Sequence, residues 1–228
     1  MDQALRRYCR PVLEDVNDNM KLYDFAMAPN ARRVRMFVAE KSIELDLIPV
    51  DLSKREQMGA EFQAINPRMA VPALVLDDGT LLTESVAICR YLDEVHPQPA
   101  LFGSGALGKA AVEMWHRRVE FEGLQAVADG VRNSVDFFAG RALSGPTDFA
   151  QIPQLAERGK QRVDAFYAML DERLGSSEFI AGPEFSIADI AALISCDFAK
   201  VLKKRIGEDT PNLKRWYDAV SSRPSASA

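Results

Sequence analysis

The sequence predicts an α/β domain of order βαβ-ββα followed by an all-α helical bundle. Strand and helix patterns alternate between residues 20 and 100, and the apolar runs on either side of Asp78-Gly79 mark a two-residue hairpin turn. Beyond the Gly/Pro/Ser-rich stretch "QPALFGSGALG", only helical patterns remain. A parallel βαβ crossover joined to a hairpin and a closing helix gives a mixed four-stranded sheet with helices on both faces.

The N-terminal half contains four predicted strands and three predicted helices. Apolar alternation predicts the strands, which cover residues 20–25, 45–52, part of "NPRMAVPALVL" (66–76) and 80–82. The predicted helices cover residues 31–41, a polar stretch that ends at Phe62, and a segment from Glu84 or Ser85 to Val95. Pro97 ends the last of them.

The C-terminal half is predicted to contain four helices. The first spans residues 107–139 with interruptions at Gly123 and Gly130, because glycine weakens a helix interior. The others cover residues 155–174, 186–205 and 211–222. Ser186 and Asp189 have the S-x-x-D spacing of a capping box. The predicted organisation is a poorly ordered extension at 1–19, an α/β domain at 20–100, a linker at 101–106 and a helical domain at 107–228.

Composition and charge exclude several classes of function. A net charge of -5 and a pI near 5.2 argue against a nucleic-acid binder, which usually carries a basic face. No run approaches the roughly 18 apolar residues of a membrane span, and the charged N-terminus lacks the apolar core of a secretory signal. Cys9, Cys89 and Cys196 are far apart and only two histidines occur, a pattern that favours the reducing cytoplasm and disfavours a metal site. We therefore expect a cytoplasmic protein that binds no membrane, nucleic acid or metal.

Two short motifs offer groups that suit a peptide-like ligand. Val71-Pro72 precedes an apolar strand, and the residue before such a proline keeps a free N–H and C=O for strand addition. Glu84 and Ser85 fall where a helix starts; Ser85 is a candidate N-cap, exposed amides there suit a carboxylate, and Glu84 suits an ammonium group. Taken singly, each motif has a simpler interpretation as a strand-entry proline or as a capped helix.

Taken together, these motifs resemble the cytosolic glutathione transferase family. The βαβ half, "NPxxxVPAL", the Asp-Gly hairpin, "ES-AI--YL" and the helical C-terminal half follow one another over residues 20–222. The resemblance implies a thioredoxin-like N-terminal domain. In that domain Pro72 would be a cis-proline, and the backbone of Val71 would bind the cysteinyl unit of glutathione.

The resemblance also implies where the rest of glutathione binds. Glu84 and Ser85 would hold the γ-glutamyl end. The stretch "KREQMGAEF" would face the glycine carboxylate, with Gln57 as the best candidate and Lys54 as the second.

The helical domain would line the pocket for the electrophile. By position along its first helix, Trp115, Arg118 and Glu122 are the candidates. The family further implies a homodimer that uses glutathione as a co-substrate and needs no metal or organic cofactor. The cysteines are expected to be buried residues rather than nucleophiles, because none occupies the helix start.

The group that activates the thiol departs from the usual family pattern. Many members place a Tyr, Ser or Cys near the start of the first helix, but the serine position falls at Ala28, which has no donor in its side chain. The candidates are Asn30, the backbone N–H groups of Asn30 and Ala31, and the helix dipole; Tyr23 is less favoured. The helix start "PNARRVR" is similar to that of fungal and bacterial transferases that also lack the usual residue.

Three arginines crowd the first turns of this helix, where the helix dipole would favour acidic residues: Arg32, Arg33 and Arg35. Arg32 could add positive potential at the thiolate, but for each arginine a solvated helix face is the favoured interpretation. Asn30 likewise has an alternative role as the N-cap.

These observations favour an enzyme that conjugates the glutathione thiolate to small hydrophobic electrophiles. One alternative is a non-catalytic binding or interaction protein, which Ala28 keeps open. The other is a specialised glutathione-dependent dehalogenase, isomerase or peroxidase, since substrate choice would lie in the helical half.

Overall fold

A computed structural model describes residues 20–228. The predicted extension at 1–19, which contains Cys9, lies outside the described residues. A four-stranded sheet with its helices forms the first part of the chain, and a bundle of helices forms the second.

The sheet has the strand order β2-β1-β3-β4. Its strands are β1 (Lys21–Asp24), β2 (Asp46–Pro49), β3 (Ala73–Val75) and β4 (Leu81–Thr83). β2 runs parallel to β1, whereas β3 is antiparallel to both β1 and β4. The sheet is therefore mixed, as the βαβ-ββα order predicts.

Three helices pack with this sheet: α1 (Pro29–Glu40), α2 (Ala60–Ile65) and α3 (Ser85–Val95). Leu22 and Leu74 are paired in register between β1 and β3, and both are fully buried in a cluster with Phe37 of α1 and Ile88 of α3. α1 begins two residues before its predicted start because Pro29 occupies the first helical position, where a missing N–H costs nothing.

The sequence analysis expected one helix in the polar stretch that ends at Phe62. The structure instead has two 3₁₀ turns before α2, Leu52–Lys54 and Glu56–Met58. Asp51 caps the first turn by accepting from the N–H groups of Ser53 and Lys54. Arg55 separates the turns because its φ of 59° lies in the left-handed region.

The helical bundle consists of α4 (Gly105–Arg118), α5 (Gln125–Arg132), α6 (Pro153–Leu174), α7 (Ile187–Ala199) and α8 (Pro211–Ser221). A π-helical turn, Val119–Leu124, joins α4 to α5, so the interruption predicted at Gly123 is confirmed. A Cβ at Gly123 would lie 2.5 Å from the Phe166 ring. The interruption predicted at Gly130 is wrong, because α5 continues through that residue.

The capping box at the start of α7 is confirmed. Asp189 accepts from the Ser186 N–H at 3.0 Å, and the Ser186 hydroxyl accepts from the N–H of Ala188. The second carboxylate oxygen of Asp189 accepts from the Ile180 N–H and from the indole N–H of Trp216. Asp189 therefore joins three segments of the bundle.

The segment predicted as a linker contributes to the core. Leu101 and Phe102 are buried, and the Ile187 N–H donates to the Leu101 carbonyl at 3.0 Å. In the part of the chain that the structure describes, no helix is long and apolar enough to cross a membrane.

Candidate glutathione site

A cleft of about 130 Å³ lies where the start of β3, the β4–α3 turn and the start of α1 meet. A loop between α5 and α6 forms its opposite wall. The cleft is lined by Asn30, Asn66, Arg68, Ala70, Val71, Pro72, Thr83, Glu84, Ser85, Ser144 and Gly145. Five of the residues that the sequence analysis singled out are thus brought together.

The edge of the cleft at Val71 has free backbone groups. The Val71–Pro72 peptide is cis, as the resemblance implies. Within residues 20–228, neither the N–H nor the C=O of Val71 has a hydrogen-bond partner. An extended peptide can therefore add to this edge through two main-chain hydrogen bonds.

The β4–α3 turn presents Glu84 and Ser85 to the same cleft. Glu84 is the N-cap residue, is exposed and has a φ of 66°, so the expectation that Ser85 caps the helix is wrong. Ser85 is instead the first helical residue and is only 5% exposed. Its Oγ accepts from Nη1 of Arg33 at 2.8 Å, which leaves the Ser85 hydroxyl proton free to donate to a ligand.

Arg33 joins the Ser85 turn to the helical bundle. Its guanidinium is 2% exposed and pairs with Glu120, which lies in the π-helical turn. His116 lies 3.9 Å from the same carboxylate. Burial lowers the pKa of His116 to about 3, so the imidazole is neutral and, among residues 20–228, Arg33 is the charged partner of Glu120.

The start of α1 carries two backbone N–H groups without an acceptor in the described part of the chain, and one of their residues, Asn30, lines the cleft. Ala28 is the N-cap, and its own N–H donates to the Phe25 carbonyl at 2.9 Å. Pro29 has no N–H, and the N–H groups of Asn30 and Ala31 have no acceptor among the described residues. Asn30 occupies the second helical position, so its alternative role as N-cap is wrong.

The solvated-face interpretation of the three arginines is also wrong, because each one is paired inside the protein. Arg35 is 8% exposed and pairs with Asp24. Arg32 donates to Oδ2 of Asp197 at 2.6 Å and to the Ala226 carbonyl at 2.9 Å. Together with the Arg33–Glu120 pair, these contacts fasten α1 to three different parts of the chain.

Comparison with known proteins identifies this arrangement. Residues 27–95 match the family described as "Glutathione S-transferase, N-terminal domain", and residues 138–224 match "Glutathione S-transferase, C-terminal domain". The Saccharomyces cerevisiae protein "Glutathione S-transferase 2" is 34% identical over 217 residues, which span 93% of this chain and 90% of the yeast protein. The chain belongs to the glutathione S-transferase family. As a member of it, the protein is an enzyme.

Solved structures of glutathione S-transferases share the fold over most of both chains. The crystal structure of Gtt2 from Saccharomyces cerevisiae superposes with a TM-score of 0.82 at 30% identity, covering 90% of this chain and 97% of that one. A class Gtt2 glutathione S-transferase of Vibrio parahaemolyticus is 38% identical with a TM-score of 0.76, covering 90% and 94% of the two chains. The thioredoxin-like domain and the helical bundle are therefore those of the family.

Four residues predicted to serve the candidate site in this transferase lie outside the residues that line the cleft, and Ala31, which is fully buried, is one of them. Tyr23 packs its ring edge-on against Phe62, with 5.9 Å between the ring centroids. Lys54 is 73% exposed and pairs with Asp51 at 3.1 Å, and hydrogen bonding to Asp51 raises its pKa. Gln57 has a buried Oε1 without a partner in the described part of the chain. The roles of Gln57 and Lys54 at the glycine carboxylate stay predictions.

The three residues predicted for the electrophile pocket lie on α4 and the π-helical turn. The guanidinium groups of Arg118 and Arg173 both lie over the Trp115 ring, 4.7 and 4.9 Å from its centroid. Glu122 is exposed. None of the three lines the cleft at Ser85, and their role with the electrophile stays a prediction.

Sequence reasoning missed the wall that the helical domain contributes. Ser144 and Gly145 belong to a loop with no periodic pattern, and Arg141 fixes that loop by donating to Asp148 and to the Gly145 carbonyl, each at 2.8 Å. Arg68 was missed as well, although it lies inside the "NPRMAVPAL" motif. The one signal in the sequence that could have indicated a role for Arg68 is its position three residues before Val71.

Cys89 and Cys196 are buried, as predicted. Burial raises the pKa of the Cys89 thiol to about 12 and raises that of Cys196 as well, so neither thiol ionises at neutral pH. Within residues 20–228, no group of three or more His, Cys, Asp or Glu side chains could hold a metal ion.

Proposed function

We propose that this transferase conjugates the thiolate of glutathione to small hydrophobic electrophiles and that a helix N-terminus stabilises the thiolate. The observation that carries the proposal is the pair of N–H groups at Asn30 and Ala31, which have no acceptor among the described residues, at a helix start where Asn30 lines the cleft. Such a helix end attracts anions.

The polar groups of the cleft suit the cysteinyl and γ-glutamyl units of glutathione. The free N–H and C=O of Val71 fit the cysteinyl unit, and in this binding mode the thiol would face the start of α1. Ser85 can donate to the γ-glutamyl carboxylate, while Glu84 can accept from the ammonium group beside it. No metal or organic cofactor enters this proposal.

Backbone donors are strong enough to activate the thiol. A free thiol has a pKa of about 8.5, and a change of one unit corresponds to about 1.4 kcal/mol. A helix N-terminus stabilises a nearby anion by about 0.3–1 kcal/mol, and a charge-assisted hydrogen bond adds about 1.5–3 kcal/mol. Together these contributions sum to about 1.8–4 kcal/mol, so the Asn30 and Ala31 N–H groups would lower the thiol pKa by about one to three units.

We propose that the chain belongs with the transferases that lack the usual catalytic Tyr, Ser or Cys, because this mechanism uses backbone donors instead. Ala28, the N-cap, has no donor in its side chain, and Tyr23 packs against Phe62. We also propose that the enzyme acts in the cytoplasm as a homodimer, as its family implies.

The alternatives differ in what happens after glutathione binds. A binding protein would hold glutathione at Val71, Glu84 and Ser85 without lowering its thiol pKa. A dehalogenase, isomerase or peroxidase would ionise the thiol in the same way but use a restricted set of electrophiles.

The test is a titration of the ultraviolet thiolate band of glutathione bound to the purified protein, from about pH 5 to 9 around the free value. We expect the band to persist below pH 7. Binding with an unshifted pKa would favour the binding protein, and no binding would contradict the site assignment.

Two substitutions at one position separate side chain from backbone. Asn30→Ala keeps the N–H and should leave the thiol pKa unchanged, whereas Asn30→Pro removes the N–H and should raise it. Proline is tolerated in the first turn of a helix, and circular dichroism would show whether α1 persists. If Asn30→Ala alone abolished the shift, the side chain would be the activator.

A further inference from the structure

A single segment of the helical domain contacts α1 at two points. Residues 223–227, which include the 3₁₀ turn Pro224–Ser227, lie along this helix and contact Glu40 and Arg32. We call residues 223–227 the brace. Glu40 and Arg32 are eight residues apart, which corresponds to about 12 Å along a helix axis.

At the far end of α1, the brace holds Glu40 with three hydrogen bonds. Arg223 donates from Nε and Nη2 to the two carboxylate oxygens at 2.8 and 2.7 Å, and the Ser225 hydroxyl also donates. Burial alone would raise the pKa of Glu40, but these hydrogen bonds outweigh it and hold the pKa below its ordinary value. Arg223 also stacks on the Phe185 ring, 4.1 Å from the centroid.

Near the catalytic end, Arg32 is the point of contact. It lies two residues beyond Asn30, and its guanidinium donates to the Ala226 carbonyl of the brace and to Asp197 of α7. Asp197 in turn accepts from the Tyr217 hydroxyl at 2.5 Å, so α8 supports the same contact.

We propose that the brace positions α1 for catalysis, with Glu40 and Arg223 as positioning residues that touch neither glutathione nor the electrophile. The inference rests on the proposed function, in which the N–H groups of Asn30 and Ala31 stabilise the thiolate. Hydrogen bonds weaken steeply with distance and angle, so a small shift or rotation of α1 would weaken both. The helical domain would thus set the strength of an activator that lies in the other domain.

The sign of the effect distinguishes positioning from direct electrostatics. Glu40 lies about 15 Å along the helix from Asn30, beyond the Debye length of about 8 Å at physiological salt. Any residual direct effect of removing this negative charge would lower the thiol pKa. Positioning predicts the opposite, because Glu40→Gln weakens the contact with Arg223.

The experiment compares Glu40→Gln, Arg223→Gln and the control Glu208→Gln by titrating the thiolate band of bound glutathione. Glu208 forms an exposed ion pair with Lys214 and is not part of the brace. We expect both brace variants to raise the thiol pKa by about 0.5, a loss of part of the helix-end contribution, and the control to leave it unchanged. A lowered or unchanged pKa in Glu40→Gln would overturn the proposal.

Amide hydrogen exchange of α1 provides a second readout that needs no thiolate. The brace predicts faster exchange at the amides that follow Arg32 in both brace variants, with no change in the control. If the intact protein did not shift the thiol pKa, the proposed function would fail, and the exchange rates would still decide whether the brace holds α1. Unchanged exchange in both variants would refute it.

Discussion

Arg33 is a buried cation that joins the candidate glutathione site to the helical bundle, and Arg33→Met should reveal both of its roles. The substitution keeps most of the side-chain volume but leaves Glu120 without its partner and Ser85 without the donor that orients it. We expect a loss of folding stability together with a loss of glutathione affinity.

The magnitude of the stability loss follows from burial. Removing one partner of a buried ion pair costs about 3–5 kcal/mol because the remaining charge is uncompensated. The Glu120 side chain is 19% exposed and His116 beside it is neutral, so we expect about 3 kcal/mol, at the lower end. The double variant Arg33→Met/Glu120→Met should recover most of this loss, because it removes the uncompensated charge.

The assays are urea unfolding at pH 7 and calorimetric titration with glutathione. Arg117→Met is the matched control, since Arg117 forms an exposed pair with Glu113, and we expect at most about 1 kcal/mol from its loss. Glutathione affinity should fall about tenfold, or 1.4 kcal/mol, in both the single and the double variant, because neither orients Ser85. The reasoning would be refuted if the single variant were as stable as the control, or if affinity recovered together with stability.

Two further predictions concern the helical bundle. Gly159→Ala should lower the free energy of unfolding in urea by about 2–3 kcal/mol, because its Cβ would lie 2.6 Å from backbone atoms of α5. The control is Gly108→Ala, since a Cβ at Gly108 would meet no atom within 4 Å. A comparable loss of stability in the control would contradict the argument. Burial raises the pKa of Asp189 from 3.8 to about 6, so its contribution to stability is full below about pH 4 and declines as the pH rises through 6. The stability lost in Asp189→Asn should therefore be largest near pH 4 and about 2–3 kcal/mol smaller at pH 7, and a loss that grows with pH would refute this.

Local chemistry made much of the fold predictable. The alternation of apolar residues and the capping box at Ser186 each specify structure over a few residues, and both occur as expected. The predicted hairpin also forms, but its turn is centred on Asp77-Asp78 and not on Asp78-Gly79, because the Gly79 N–H donates to the Leu76 carbonyl. The errors arose where one residue outweighed a pattern. Pro29 started α1 early, and Arg55 broke a polar helical pattern into two 3₁₀ turns.

The candidate site was predictable only on the side that short motifs encode. Val71 and Glu84 lie beside structural signals, a proline and a helix start, which fix their backbone groups in the cleft. Ser144 and Gly145 arrive from a loop about 60 residues further along the chain, held by Arg141. No local pattern specifies where such a loop folds back, because its position depends on the packing of the bundle.

The arginines at the start of α1 show why charge in a sequence is a poor guide to electrostatics in a fold. Three cations in the first turns oppose the helix dipole, and in an isolated helix they would destabilise it. In the structure each has a carboxylate from a different element, namely Asp24 of β1, Glu120 of the π-helical turn and Asp197 of α7. Their charges are balanced there, so these three arginines add little net positive potential at the cleft. We therefore expect the start of α1 to stabilise a bound thiolate through the positions of its backbone N–H groups and not through its arginines. The size of that stabilisation should depend on how firmly the arginine ion pairs and the brace hold α1 in place.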